Sequence, residues 1–109
     1  MTGQVQVIVY HLADDPEAVL AAYHESSARM AGTPGLLGNE LQQGVTDERS
    51  FAVVSRWAGW ADFASWEAGA GHREQTAPLR AYRDHTRQRP FEVFRVTARH
   101  GAAAEPEAG

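Results

Sequence analysis

Hydrophobic and polar positions alternate from the start of the chain. Over Gln4 to Leu12, QVQVIVYHL, Val5, Val7 and Val9 fall on one side of an extended backbone, and Gln6, Ile8 and Tyr10 on the other. Both sides carry apolar residues, so this strand is expected to be covered on both faces. The period then changes. Asp14-Asp15-Pro16-Glu17 supplies a capping acid, a proline at the first helical position and an acid in the first turn. The stripe that follows, Val19, Leu20, Tyr23, Ser27 and Met30, repeats every three to four residues and stops at Gly32 and Pro34. Two strands come next, Leu36 to Gln43 with Leu37, Asn39 and Leu41 on one face, and Ser50 to Trp57 with Phe51, Val53, Ser55 and Trp57 on one face. The polar turn Gly44 to Arg49 joins them as a hairpin. Trp60, Phe63 and Trp66 recur at helical spacing until Gly69-Ala70-Gly71 interrupts them. A second, irregular helical piece from His72 to Asp84 contains Pro78, and Pro90 to Arg99 reads as the last strand.

The order is strand, long helix, strand, strand, broken helix, strand. This βαββαβ succession predicts an α+β, ferredoxin-like fold, a four-stranded antiparallel sheet with helices on one face. Residues 1–100 are expected to form a single domain, followed by a disordered tail, GAAAEPEAG, at 101–109. The sheet face carrying Ile8 and Tyr10 is too apolar for water, and a second copy is its economical cover. A homodimer is therefore expected.

Composition narrows the chemistry. The 109 residues include no cysteine, which excludes thiol nucleophiles, disulfides, iron–sulfur clusters and cysteine-ligated zinc. All ten basic residues are arginine, which excludes a lysine Schiff base and covalently held pyridoxal phosphate. No pair of histidines has HxH or HxxxH spacing, so no metal site is expected. A net charge of −4 lacks the basic stripe of a nucleic-acid binder. No apolar run approaches about 18 residues and no charged-then-apolar leader is present, so the expectation is a soluble cytoplasmic protein without membrane contact.

With the order and the residues both in hand, a family likeness appears. Pro34-Gly35-Leu36-Leu37-Gly38-Asn39-Glu40-Leu41 resembles the PGFLG segment that opens a strand in the antibiotic biosynthesis monooxygenases. Phe51-Ala52-Val53-Val54-Ser55-Arg56-Trp57, followed by Phe63 and Trp66, is similar to the same family's tryptophan-bounded stretch. The resemblance covers nearly all of the chain before the tail and implies a dimeric α+β barrel. It implies a monooxygenase that oxidises an aromatic polyketide, a phenol or anthrone, with O2 and without metal, flavin or other cofactor, in secondary metabolism. The substrate then supplies the electrons. The protein supplies an apolar cleft, a base or donor for the anion, and exclusion of water. Polyketide cyclases and non-catalytic small-molecule-binding barrels share the scaffold. The superfamily's haem-degrading branch uses an asparagine on the first strand, the helix tryptophan and a histidine about nine residues later. Val7 and Gln75 stand at the first and last of these places, which argues against haem degradation.

The residues expected to act follow from position and type. Trp66 matches the tryptophan retained in both branches and is expected to wall the pocket. Asn39, an amide between two leucines, can donate to a substrate carbonyl or to O2. His72, just after the glycine break, can serve as a base at the pocket rim. Tyr23, His24 and Tyr82 can contact a phenolic substrate, and Arg80 or Arg83 can neutralise an enolate. Trp57 and Trp60 are expected to be structural, and His11, His85 and His100 to lie on the surface. The pocket itself is expected between the sheet and the two helical segments of one protomer.

Overall fold

A computed structural model describes residues 3–101. All of the predicted tail except Gly101 lies outside them. The elements are β1 (Val5–Leu12), α1 (Pro16–Met30), β2 (Leu36–Gln43), β3 (Ser50–Trp57), α2 (Trp60–Ala68), α3 (His72–Arg80) and β4 (Phe91–Arg95). The sheet order is β2-β3-β1-β4 and every pairing is antiparallel. This is the predicted α+β, ferredoxin-like arrangement.

Local chemistry sets the boundaries. The Asp15 carboxylate accepts from the backbone N–H groups of Glu17 and Ala18 at 3.1 and 3.3 Å, which caps α1 ahead of Pro16. Gly35 has φ +82°, and a Cβ there would overlap the Asp62 side chain, so the chain enters β2 against the first turn of α2 only as glycine. The Gly35 carbonyl also accepts from Ala58 N–H at 2.8 Å and fixes the end of β3.

Register explains which residues face the helices. Val5, Val7, Val9 and His11 of β1 stand opposite Trp57, Ser55, Val53 and Phe51 of β3, all on the helix-covered face. A bulge between Leu36 and Gly38 shifts the start of β2. Leu36 therefore packs on the core, while Leu37, expected on the face of Asn39 and Leu41, is exposed. Asn39 and Leu41 keep the predicted face, opposite Ser55 and Val53.

Three other expectations are corrected. The buried stripe of α1 is Val19, Ser26 and Met30, and Leu20 lies outside it. The second helical piece ends at Arg80, not Asp84. Residues 82–84 instead extend along β1, with Leu12 N–H donating to the Tyr82 carbonyl at 2.8 Å and Asp84 N–H to the Tyr10 carbonyl at 3.0 Å. The last strand is shorter than Pro90 to Arg99.

Candidate active site

Two apolar clusters join the helices to the sheet. One is built on Val5, Val7, Met30, Trp57 and Phe63, the other on Val19, Phe51 and Leu79. The break at Gly69–Gly71 lets α3 turn away from the line of α2 and pack mainly on α1. The helices thus bridge the sheet, and a cavity of about 270 Å³ lies between the clusters, with Val7, Met30, Phe63 and Leu79 in its walls. Its size is near the lower end of small-molecule sites.

One wall is aromatic. The Phe63 ring meets Trp57 edge-on at 5.6 Å and Phe91 edge-on at 5.7 Å, and Trp66 lies 5.4 Å from Trp57. Trp57 is fully buried and serves the core. Trp60, half exposed, touches Phe63 from outside. The Trp66 indole N–H donates to Gln75 Oε1 at 2.6 Å, so its ring rather than its N–H is available to a ligand. Gln75 is itself held, since its amide donates to the Arg29 carbonyl at 3.2 Å and its own carbonyl accepts from Ser26 Oγ at 2.7 Å. This one residue of α3 ties α1 to the tryptophan of α2.

Asn39 stands on the sheet side. Tyr23 Oη donates to its Oδ1 at 2.5 Å and Ser27 Oγ donates to the same oxygen at 3.1 Å. Tyr23 and Ser27 are one turn apart on α1, so both hydroxyls reach one acceptor. With Oδ1 doubly engaged, the amide NH2 is the group left to donate, and among the described residues it has no acceptor. His72 lies edge-on to Trp66, 5.5 Å between ring centroids. Its Nδ1 is 3.0 Å from the Gly69 carbonyl. A carbonyl only accepts, so in the neutral ring the proton sits on Nδ1 and Nε2 keeps its lone pair.

The far end of the cavity is basic. His11, expected at the surface, is 2% exposed and lines the cavity beside Arg83, its partner in an isolated bridge. Burial, and then the charge of Arg83, lowers the His11 pKa to about 4 and keeps the ring neutral. Burial and the neighbouring Arg80 lower the pKa of Arg83 in turn. Among the described residues, neither His11 Nδ1 nor Arg83 Nε, both buried, has a hydrogen-bond partner.

Similarity to known proteins agrees with this geometry. A variant of SnoaB, a cofactor-independent oxygenase from Streptomyces nogalater, superposes with TM-score 0.69 at 20% identity over 96% of this chain and 99% of that one. A candidate antibiotic biosynthesis monooxygenase from Nitrosomonas europaea gives 0.64 at 16% identity over 88% and 90%. The fold is that of the antibiotic biosynthesis monooxygenases. In sequence, the chain is 30% identical over 99 residues to Protein SchA of Streptomyces halstedii, 90% of this chain and 26% of that protein. It thus spans about a quarter of the length of the curated relative it matches. No protein-family model matches the chain.

Within this monooxygenase fold, Trp66, His72, Asn39, Tyr23 and Arg80 all line the one cavity. His24 and Tyr82 do not. His24 meets the Tyr23 ring tilted at 5.4 Å, and Tyr82 packs against the Val19–Phe51–Leu79 cluster. Val7 is buried and Gln75 is engaged with Trp66, so the two departures from the haem-degrading pattern fill structural roles. His11 was open to detection, because alternation carries the Val5-Val7-Val9 face on to it. Nothing in the local pattern marks Gln75 or Ser26. Among the described residues no helix is long and apolar enough to cross a membrane.

Proposed function

We propose that the chain is a member of the monooxygenase family in activity as well as fold, and that it oxidises an aromatic polyketide of the phenol or anthrone type to a quinone with O2, without a cofactor. The observation that carries this reading is the Asn39 amide, held by Tyr23 and Ser27 as a preset donor in an aromatic-walled cavity. The fold shared with the oxygenase SnoaB and the sequence likeness to SchA support it.

In this reading His72 Nε2 removes a proton from the substrate methylene, and the anion delocalises onto the ring oxygen. Asn39 donates to that oxygen. The carbanion passes one electron to O2, and the two radicals combine into a carbon–oxygen bond. A proton from His72 completes the hydroperoxide. Loss of the second methylene proton with cleavage of the O–O bond yields the new carbonyl and one water. The balance is one CH2 and one O2 giving one C=O and one H2O. Trp66 holds the ring system flat against the wall and excludes water.

A second copy is proposed to cover the outer sheet face, where Ile8 pairs opposite Val54 and Phe94 is half exposed. The deciding experiment is oxygen uptake with 1,8-dihydroxyanthrone as probe, in the presence of EDTA. One O2 consumed per anthrone converted, faster than the uncatalysed reaction, is expected. Conversion that needs an added metal or flavin, or that proceeds equally without O2, would overturn the reading.

A further inference from the structure

The polar groups of the cavity are unevenly placed. Asn39, Tyr23 and Ser27 provide neutral chemistry on one side. On the other side two guanidinium groups, Arg80 and Arg83, enter the lining together. Arg80 donates to Thr76 Oγ1 at 3.0 Å and to the Arg73 carbonyl at 3.4 Å, both uncharged acceptors. Among the described residues, the ion pairs employ Arg29, Arg49 and Arg87, and neither Arg80 nor Arg83 has a carboxylate within 4.0 Å. The nearby Asp84 is engaged by Thr86 and Arg87. Among the described residues, Glu67 is the one carboxylate in the lining, and it comes from α2.

Two like charges beside an apolar cavity repel each other, and burial adds to the cost. His11 lies against Arg83, almost wholly buried, with an unpartnered ring nitrogen. The natural relief is an anion brought by the ligand. A phenolate offers one oxygen, whereas a carboxylate offers two in the plane that matches the guanidinium fork.

We propose that the Arg80–Arg83–His11 end of the cavity is a carboxylate-binding subsite, so that the ligand is an aromatic carboxylic acid anchored there while its ring lies on Trp66. The inference rests on the reading of this cavity as the site for an aromatic substrate, and it adds the acid group.

Binding separates the two. Trp66 lines the cavity, so quenching of tryptophan fluorescence reports occupancy. The probes are 2-naphthoate and its neutral isostere 2-naphthamide at pH 7. Naphthoate is expected to bind about ten-fold or more tightly. Arg83→Gln is expected to abolish that preference and leave naphthamide affinity unchanged, and Arg83→Lys to restore part of it. Arg80→Gln reads the same charge pair if Arg83→Gln fails to fold. Equal affinity for the two probes, or a preference that survives both glutamine variants, would overturn the subsite and leave the aromatic cavity standing. Tighter binding of 2-naphthyl phosphate than of naphthoate would overturn the assignment to a carboxylate. Binding of none of these probes would overturn the cavity reading itself.

Discussion

Tyr23 Oη donates to Asn39 Oδ1 across 2.5 Å, linking the long helix to the second strand at the edge of the cavity. The hydroxyl does not face a ligand as a donor. It fixes which end of the Asn39 amide does. On the proposed reading, Tyr23 is a positioning residue and Asn39 is the group that meets the substrate oxygen.

The first prediction separates those roles. Asn39→Ala removes the donor and is expected to lower kcat by about 10²-fold or more, the scale seen when one preset donor to a developing oxyanion is lost. Tyr23→Phe leaves Ser27 to hold the amide, and a loss of about ten-fold is expected with stability changed by roughly 1 kcal/mol. Steady-state oxygen uptake with urea unfolding checks both. Equal losses in the two variants would contradict the assignment.

The second concerns the aromatic wall. Trp66→Ala is expected to cost roughly 3–5 kcal/mol, because it empties the space beside Trp57 and Phe63. Trp66→Phe keeps most of the ring and loses the bond to Gln75, so the protein should remain folded while turnover falls sharply. Thermal unfolding and turnover of the two variants are the measurements.

His72→Ala is expected to lower the rate without unfolding the chain. Oxygen uptake and urea unfolding of the variant and the wild type test this.

The fourth prediction is a pH effect on stability. Between the ordinary histidine value near 6.5 and about 4, the unfolded chain binds a proton at His11 that the folded chain refuses. The stability associated with this residue is therefore full above about pH 6.5 and declines as pH falls toward about 4. The loss approaches about 3 kcal/mol, from roughly 2.5 pH units at 1.36 kcal/mol each. His11→Leu should flatten that part of the curve in urea unfolding at a series of pH values.

The fifth is the oligomer. Sedimentation at micromolar concentration should give twice the 11.9 kDa chain mass. Ile8→Glu with Phe94→Glu should give the single chain. A wild-type monomer would remove the second copy from the outer sheet face.

Much of this was legible from residue types. Strand alternation placed Val5, Val7, Val9, Val53 and Ser55 on one face, and the Asp15–Pro16 pair marked the helix start. The glycine break announced a gap in the helix layer. Other features depended on distance in space. Leu36 and Leu37 exchange places because of a bulge that no composition signal announces. The end of α3 is decided by the pairing of residues 82–84 with β1, a contact between segments about 70 positions apart. That same pairing carries Arg83 to His11, so the basic end of the cavity is a tertiary product. Gln75 is an unremarkable polar residue of an exposed helix until three neighbours converge on it.

The turn of α3 away from the line of α2 has a consequence for how such a protein diversifies. The strands and their two apolar clusters form a frame that determines whether the chain folds. One short helix, resting on another helix, holds much of the opposite wall. Residues such as His72, Thr76 and Arg80 can be exchanged there with little disturbance to strand pairing. Within its nine residues, buried Leu79 and the Gln75 bridge anchor the helix, so ligand choice can vary at the polar lining positions while these contacts stay.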